Sequence, residues 1–266
     1  MSIDFLVIRQ WLEAHSDDII VNLLAGVIAA VLILMTQTTV IIISTTIHDL
    51  ITRRFRIRRI AGFRLGGDAP IEVLSGSLEE ESPVLQGPDA RAAARIQVML
   101  EQVFRGRRVV DGYRARQSDE EIPQSDFCTV GGPEFNSCTR SVIAYLSSVA
   151  AFDSEGNLVL PSIGRVYKPE MEGGRIKKDY GLLVRMRNPV DGRRTCVVVA
   201  GCDTYGVYAA AQLLTNSARF PHLAGQFRKK RGLVSSALNK DFVAVISCRA
   251  QGTDVSNVRV EYVTSI

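Results

Sequence analysis

From Ile19 to Ile47 the chain carries no charged residue, and apolar side chains fill that run without a periodic break. After it the pattern changes. Short apolar stretches alternate with polar segments, and glycine stands at most of the junctions. A helix that crosses a bilayer needs about 20 mainly apolar residues, because the hydrocarbon core is about 30 Å thick and the helix rises about 1.5 Å per residue. The uncharged run is long enough for one crossing. It is too short for two crossings and a turn, which would need about 40 residues. One transmembrane helix is therefore expected over residues 19–48. A cleaved signal peptide fits poorly, since the apolar part of one spans about 7–15 residues and follows a basic start. Here the start is acidic, with Asp4, Glu13, Asp17 and Asp18 against Arg9.

The later apolar stretches predict an alternation of strands and helices. Ile71 to Leu74 is a short strand, and residues 76–83 are a polar acidic loop. Ile96, Met99, Leu100 and Val103 recur at i, i+3, i+4 and i+7, which predicts a helix from Ala90 to about Phe104. Pro88 suits its first turn. Val109 to Tyr113 is a weaker strand, and 114–125 is a charged loop. Asp126 to Val130 is a strand, followed by a helix from Ser137 to about Val149. Residues 153–178 read as irregular, apart from a short strand at Leu158–Leu160. Asp179 to Arg187 is a strand that turns at Asn188-Pro189-Val190-Asp191-Gly192. Cys196 to Ala200 is apolar throughout and suits a central strand covered on both faces. Helices follow over Val207–Thr215 and Leu223–Arg228. Strands at Phe242–Ser247 and Val258–Val263 close the chain. Recurrent strand–loop–helix order predicts an α/β fold: an open, mixed, Rossmann-like sheet with helices on both faces. Hairpins near 180–200 and 242–263 supply the antiparallel part.

Composition narrows the class. Hydrophobic residues make up 46% and charged residues 23%, which excludes disorder for the bulk of the chain. The net charge of +4 is too small to imply nucleic acid, and a nucleic-acid role would need a basic stripe with stacking aromatics. The five cysteines are odd in number and show no CxxC spacing. They read as buried thiols of a reducing compartment. The histidines are His15, His48 and His222, and only the last falls in the folded part. A multi-histidine metal site is excluded there, and no cofactor is assigned.

Charge also sets orientation. Arg53, Arg54, Arg56, Arg58, Arg59 and Arg64 follow the apolar run. Arginine and lysine beside a span stay on the cytoplasmic side. The expected layout is a short extracytoplasmic N-terminus (1–18), the helix (19–48), a basic juxtamembrane linker (49–70) and a cytoplasmic domain (71–266) at the inner membrane. The arginines can also attract anionic lipid. Gly26 and Ala30 lie four apart, a spacing that lets helices approach closely, so homo-oligomerisation through this helix is expected. Thr36-Gln37-Thr38-Thr39 could bond across such an interface, or its hydroxyls could bond to their own backbone.

Three glycine-bearing loops stand between a strand and a helix: Gly87-Pro88-Asp89, Gly131-Gly132-Pro133-Glu134-Phe135-Asn136, and Gly201-Cys202-Asp203-Thr204-Tyr205-Gly206. In a parallel α/β sheet such loops gather at the carboxyl ends of the strands, where ligands bind at a topological switch point. Helix starts present free N–H groups and favour anions. The expected ligand residues are Gly87, Asp89, Gly131, Gly132, Glu134, Asn136, Gly201, Asp203, Thr204, Tyr205 and Gly206. Asn136 could instead cap its helix, and so could Asp203 with Thr204. None of the loops matches GxGxxG or a P-loop. Arg140, Lys177, Lys178 and Arg185 could add positive charge, whereas the run from Arg228 to Arg231 reads as a solvated face. No GxSxG elbow is present and no histidine is placed beside a cysteine, so acid–base work by Glu134 and Asp203 is the remaining catalytic option.

Gly131-Gly132-Pro133 with Asn136, Asp179-Tyr180-Gly181 with Asn188-Pro189, and the strand ending at Gly201 with Tyr205-Gly206 resemble Rossmann-like domains of bacterial proteins. The likeness covers residues 126–216 and implies a nucleotide-binding type of fold. The anchor beside such a domain is similar to the layout of membrane-tethered sensors and effectors in bacterial signalling and defence. The expected function is a membrane-anchored sensor or effector that binds a nucleotide or similar anionic ligand. The alternatives are a nucleotide-processing hydrolase using Glu134 or Asp203, and an interaction scaffold without ligand.

Overall fold

The structure is a computed structural model. It describes residues 24, 26–28, 30–44, 54, 57–58, 60–63, 69–77, 87–115, 121–216 and 241–266. The chain divides into two compact units, Met1–Thr52 and Arg53–Ile266.

The first unit contains α1 (Gly26–Ser44), with a mean hydropathy of 2.3. This helix is long and apolar enough to cross a membrane, and none of it is buried. Leu32, Leu34 and Ile41 are among its exposed apolar side chains. The hydroxyls of Thr36, Thr38 and Thr39 donate to the carbonyls of Leu32, Leu34 and Met35 at 2.7, 2.7 and 2.8 Å. They are satisfied within their own helix, which is how threonine is accommodated among apolar side chains.

The second unit begins with β1 (Ile71–Ser77), α2 (Gly87–Val103), β2 (Val109–Ala115), β3 (Asp126–Val130) and α3 (Ser137–Ala144). Short strands β4 (Ala151–Phe152), β5 (Leu158–Leu160), β6 (Arg165–Tyr167) and β7 (Glu170–Glu172) follow. The chain continues through β8 (Arg175–Arg187), β9 (Thr195–Gly201), α4 (Thr204–Thr215), β10 (Phe242–Gln251) and β11 (Asp254–Ser265). The main sheet has the order β2-β1-β3-β9-β8-β10-β11, with β7 paired onto β8. The pairs among β2, β1, β3 and β9 are parallel. Those among β9, β8, β10 and β11 are antiparallel. A second sheet holds β4, β5 and β6.

Alternation along the strands builds a core on each face, because successive side chains point to opposite sides. Ile71, Val73, Cys128, Val130, Val197, Val199 and Ala244 join α2 and α4 in one cluster. Phe127, Leu182, Val184, Cys196, Val198 and Val243 join α3 and the β5 leucines in the other. Helices thus cover both faces of a mixed sheet.

Three expectations need correction. Residues 153–178 are not irregular: they hold β5, β6, β7 and the start of β8. The helix expected to reach Val149 ends at Ala144 and continues as turns. The basic segment 49–70 is not only a linker. Ile57, Ile60, Ala61 and Phe63 are buried in the core. Arg58 donates from Nε and its terminal nitrogen to the carbonyl of Val103 at 3.1 and 2.8 Å, holding the last turn of α2. A cation there satisfies a carbonyl that the helix leaves without a partner. The helix expected at Leu223–Arg228, the run Arg228–Arg231 and His222 lie outside the described residues.

The amino ends of the parallel strands are closed by a buried ion pair. Arg107 meets Asp126 Oδ2 at 2.7 Å and also donates to the carbonyl of Ala69. Asp126 Oδ1 accepts from the backbone N–H of Thr195 at 2.7 Å. Nearby, Asn188 donates to the carbonyls of Pro123 and Ser125 and accepts from Val190 N–H, so the Asn188-Pro189 turn pins a loop at this rim.

Candidate functional site

The chain leaves β1 through α2 to β2 on one side, and β3 lies on the other side of β1. The strand order reverses there. A crevice forms at such a point, outside the carboxyl ends of the strands. The structure has a cavity of about 590 Å³ at this place. Asp89 of α2 borders it, with Gly132, Pro133, Glu134 and Phe135 after β3, and Gly201, Cys202, Asp203 and Thr204 after β9. The three glycine-bearing loops therefore meet at one hollow. Arg140 of α3, Val207 of α4 and the β4–β5 turn from Phe152 to Gly156 complete the lining.

Backbone geometry explains the glycines. Gly131 has φ +114°, a conformation that L side chains rarely adopt, and its N–H donates to the carbonyl of Val199 at 2.9 Å. A Cβ on Gly206 would collide with the carbonyl of Tyr180. That residue lets α4 pack directly on β8, and it does not border the cavity.

Asn136 shows which of its two expected roles holds. It is fully buried, and its Nδ2 donates to the carbonyls of Leu74 and Val130 at 2.9 and 3.0 Å. Its Oδ1 accepts from the N–H of Thr139 at 3.1 Å as the cap of α3. Both amide protons are committed, so Asn136 stitches β1 to β3 beneath the cavity and is not available to a ligand. The Tyr205 hydroxyl is likewise committed, donating to the carbonyl of Gly252 at 2.7 Å. Asn136, Tyr205, Gly206, Gly131 and Gly87 are not among the lining residues, whereas Asp89, Gly132, Glu134, Gly201, Asp203 and Thr204 are.

Asp203 caps α4 with its Oδ1, which accepts from Thr204 N–H at 2.6 Å, and its carboxylate remains exposed at the cavity. Behind it, the fully buried Asp179 accepts from the backbone N–H groups of Tyr180 and Gly206. Burial raises the Asp179 carboxyl to about 7, with a further contribution from the charge of Asp203. Asp89 is 9% exposed, and its Oδ1 has no hydrogen-bond partner. Burial raises it to about 7 as well, reinforced by the charges of Asp203 and Asp179.

Of the four cations considered from the sequence, only Arg140 reaches the lining, where its Nε donates to the carbonyl of Pro133. Lys177 and Lys178 pair with Glu172 and Glu170, and Arg185 is buried over Phe242. The described lining is acidic, with Asp89, Glu134, Asp153, Glu155 and Asp203 against Arg140. Cys202 borders the cavity, but burial pushes its thiol up to about 12, so it is no activated nucleophile. Among the described residues, no group of His, Cys, Asp and Glu is placed to hold a metal ion.

The β4–β5 turn was missed in the sequence reading. Its signal was Asp153-Ser154-Glu155-Gly156-Asn157: Asp153 Oδ1 accepts from the N–H of Glu155 and of Asn157, both at 2.9 Å, and Gly156 takes φ +79°. No protein-family model matches the chain, and no curated protein matches it.

Proposed function

We propose that this chain is a membrane-anchored receptor that binds a small molecule of the nucleotide class in the switch-point cavity of a Rossmann-like domain. The observation that carries the reading is the convergence of three strand-to-helix loops on one hollow between β1, β3 and β9. The arginines after α1 favour a cytoplasmic placement of that domain.

The lining refines the ligand chemistry. Several carboxylates, set against one described cation, disfavour a bare, multiply charged phosphate. The same carboxylates accept hydrogen bonds from hydroxyl groups. The sugar end of a nucleotide therefore suits the interior, and a phosphate would lie towards Arg140, the cation of the described lining.

The test is a thermal-shift panel of nucleosides and nucleotides on the full chain in detergent micelles. A ligand at about 100 times its Kd adds about 2.7 kcal/mol of stability. Absence of a shift with every member of the panel removes the reading. A hydrolase is the second reading, favoured by Glu134 and Asp203 lying on two loops of the same cavity. It requires product formation from at least one nucleotide, and turnover unchanged by both Glu134→Gln and Asp203→Asn rejects those residues as its acid and base.

A further inference from the structure

Asp89 differs from every other carboxylate around the cavity. Glu134 and Asp203 are exposed. Asp179 is buried, yet both its oxygens accept backbone N–H groups. Asp89 is nine-tenths buried, and its Oδ1 meets no donor at all. A buried acceptor left unsatisfied costs about 1–3 kcal/mol. Such a cost concentrated at a cavity marks a group held ready for something outside the fold. Asp89 nevertheless borders the cavity, beside Gly132 and Asp203.

We propose that Asp89 is the ligand-selecting group of this cavity and that its carboxyl hydrogen-bonds a ribose-type hydroxyl. The inference rests on the receptor reading above and adds the contact that sets its specificity. A hydroxyl both donates and accepts. It complements a carboxyl held near 7, which is present in both protonation states at neutral pH. A phosphate offers no such match, because it would stand beside the like charges of Asp203 and Asp179.

The experiment is calorimetric titration of the full chain in detergent micelles with AMP, GMP, CMP and UMP, with their 2′,3′-dideoxy counterparts, and with inorganic phosphate. The expected result is that at least one ribonucleotide binds about tenfold more tightly than its dideoxy form, the discrimination that one good hydrogen bond provides. Asp89→Ala is expected to erase that difference, and Asp89→Asn, which still donates and accepts, to keep it within about threefold. Equal binding of ribo and dideoxy forms by the wild-type chain overturns the role of Asp89 and leaves the cavity as a binding site. Unchanged discrimination in Asp89→Ala does the same. Binding of none of the nucleotides overturns the receptor reading and this inference together. If Asp89→Ala does not fold, the wild-type ratio and the Asp89→Asn titration decide.

Discussion

Asp126 and Asp89 are buried aspartates at opposite rims of one sheet, and their surroundings differ in every respect. Asp126, at the amino ends of the parallel strands, meets the Arg107 guanidinium and the Thr195 N–H, one with each oxygen. Asp89, at the carboxyl ends, has like charges for neighbours and an oxygen with no donor. The first arrangement closes the fold. The second leaves it locally unfinished, which is the state expected of a surface that completes itself with a ligand. One rim is closed by paired groups, and the other carries the proposed site.

The comparison breaks most easily at the closed rim. Asp126→Ala would strand the Arg107 charge among buried groups, and a loss of about 3–5 kcal/mol is expected in urea unfolding of the full chain in micelles. A loss below about 1 kcal/mol would mean that the pair is solvated and that the two rims are alike.

The open rim predicts a pH effect of defined sign. Asp89 and Asp179 sit near 7 in the folded chain, against about 4 when unfolded. Between those values the folded state holds protons that the unfolded chain has released. Stability contributed by these carboxyls is complete below about pH 4, falls as the pH rises, and levels off above about 7. A decrease of about 2–3 kcal/mol for each carboxyl, about 5 kcal/mol for the two, is expected between pH 5 and 8 from melting curves. Asp89→Asn should make that slope shallower, whereas an identical slope would assign the titration to other groups.

Packing behind the cavity gives a smaller effect. Gly206→Ala would drive a methyl into the Tyr180 carbonyl and separate α4 from β8, with an expected cost of about 2 kcal/mol by chemical denaturation. The smallest change is also the sharpest. At pH 8, Asp89→Asn should raise stability by about 1 kcal/mol by removing a buried charge, the opposite sign to any weakening of Asp126. A lowered melting temperature would make Asp89 a structural carboxylate like its counterpart.

Much of the closed architecture was legible in residue patterns. β3 matches its expected limits because Phe127, Cys128 and Val130 form a short apolar stretch between a charged loop and Gly131-Gly132, and α2 follows from its apolar spacing. β5 matches the short strand expected at Leu158–Leu160, whereas β6 and β7 were hidden for a physical reason. Each is three residues long and largely exposed, so burial writes no periodicity into it, and glycine turns set the pairing. Residues 57–63 were masked by the arginines around them: Ile57, Ile60 and Phe63 repeat at helical spacing, but the charge drew the reading towards the membrane. At the site, glycine after each strand revealed which loops converge. The difference between Asn136 and Asp89 was not legible, since both are short polar side chains at a helix start, and only the placement of partners separates a committed cap from an unpartnered acid.

The feature with the longest reach is α2 itself. Its 17 residues form a rod of about 25 Å with Asp89 in the first turn and Val103, gripped by Arg58, at the last. A continuous helix resists bending over that distance, so a displacement at the Asp89 end is delivered almost undiminished to the Arg58 end. The cavity rim and the segment by which the chain enters the folded unit are thus the two ends of one continuous helix.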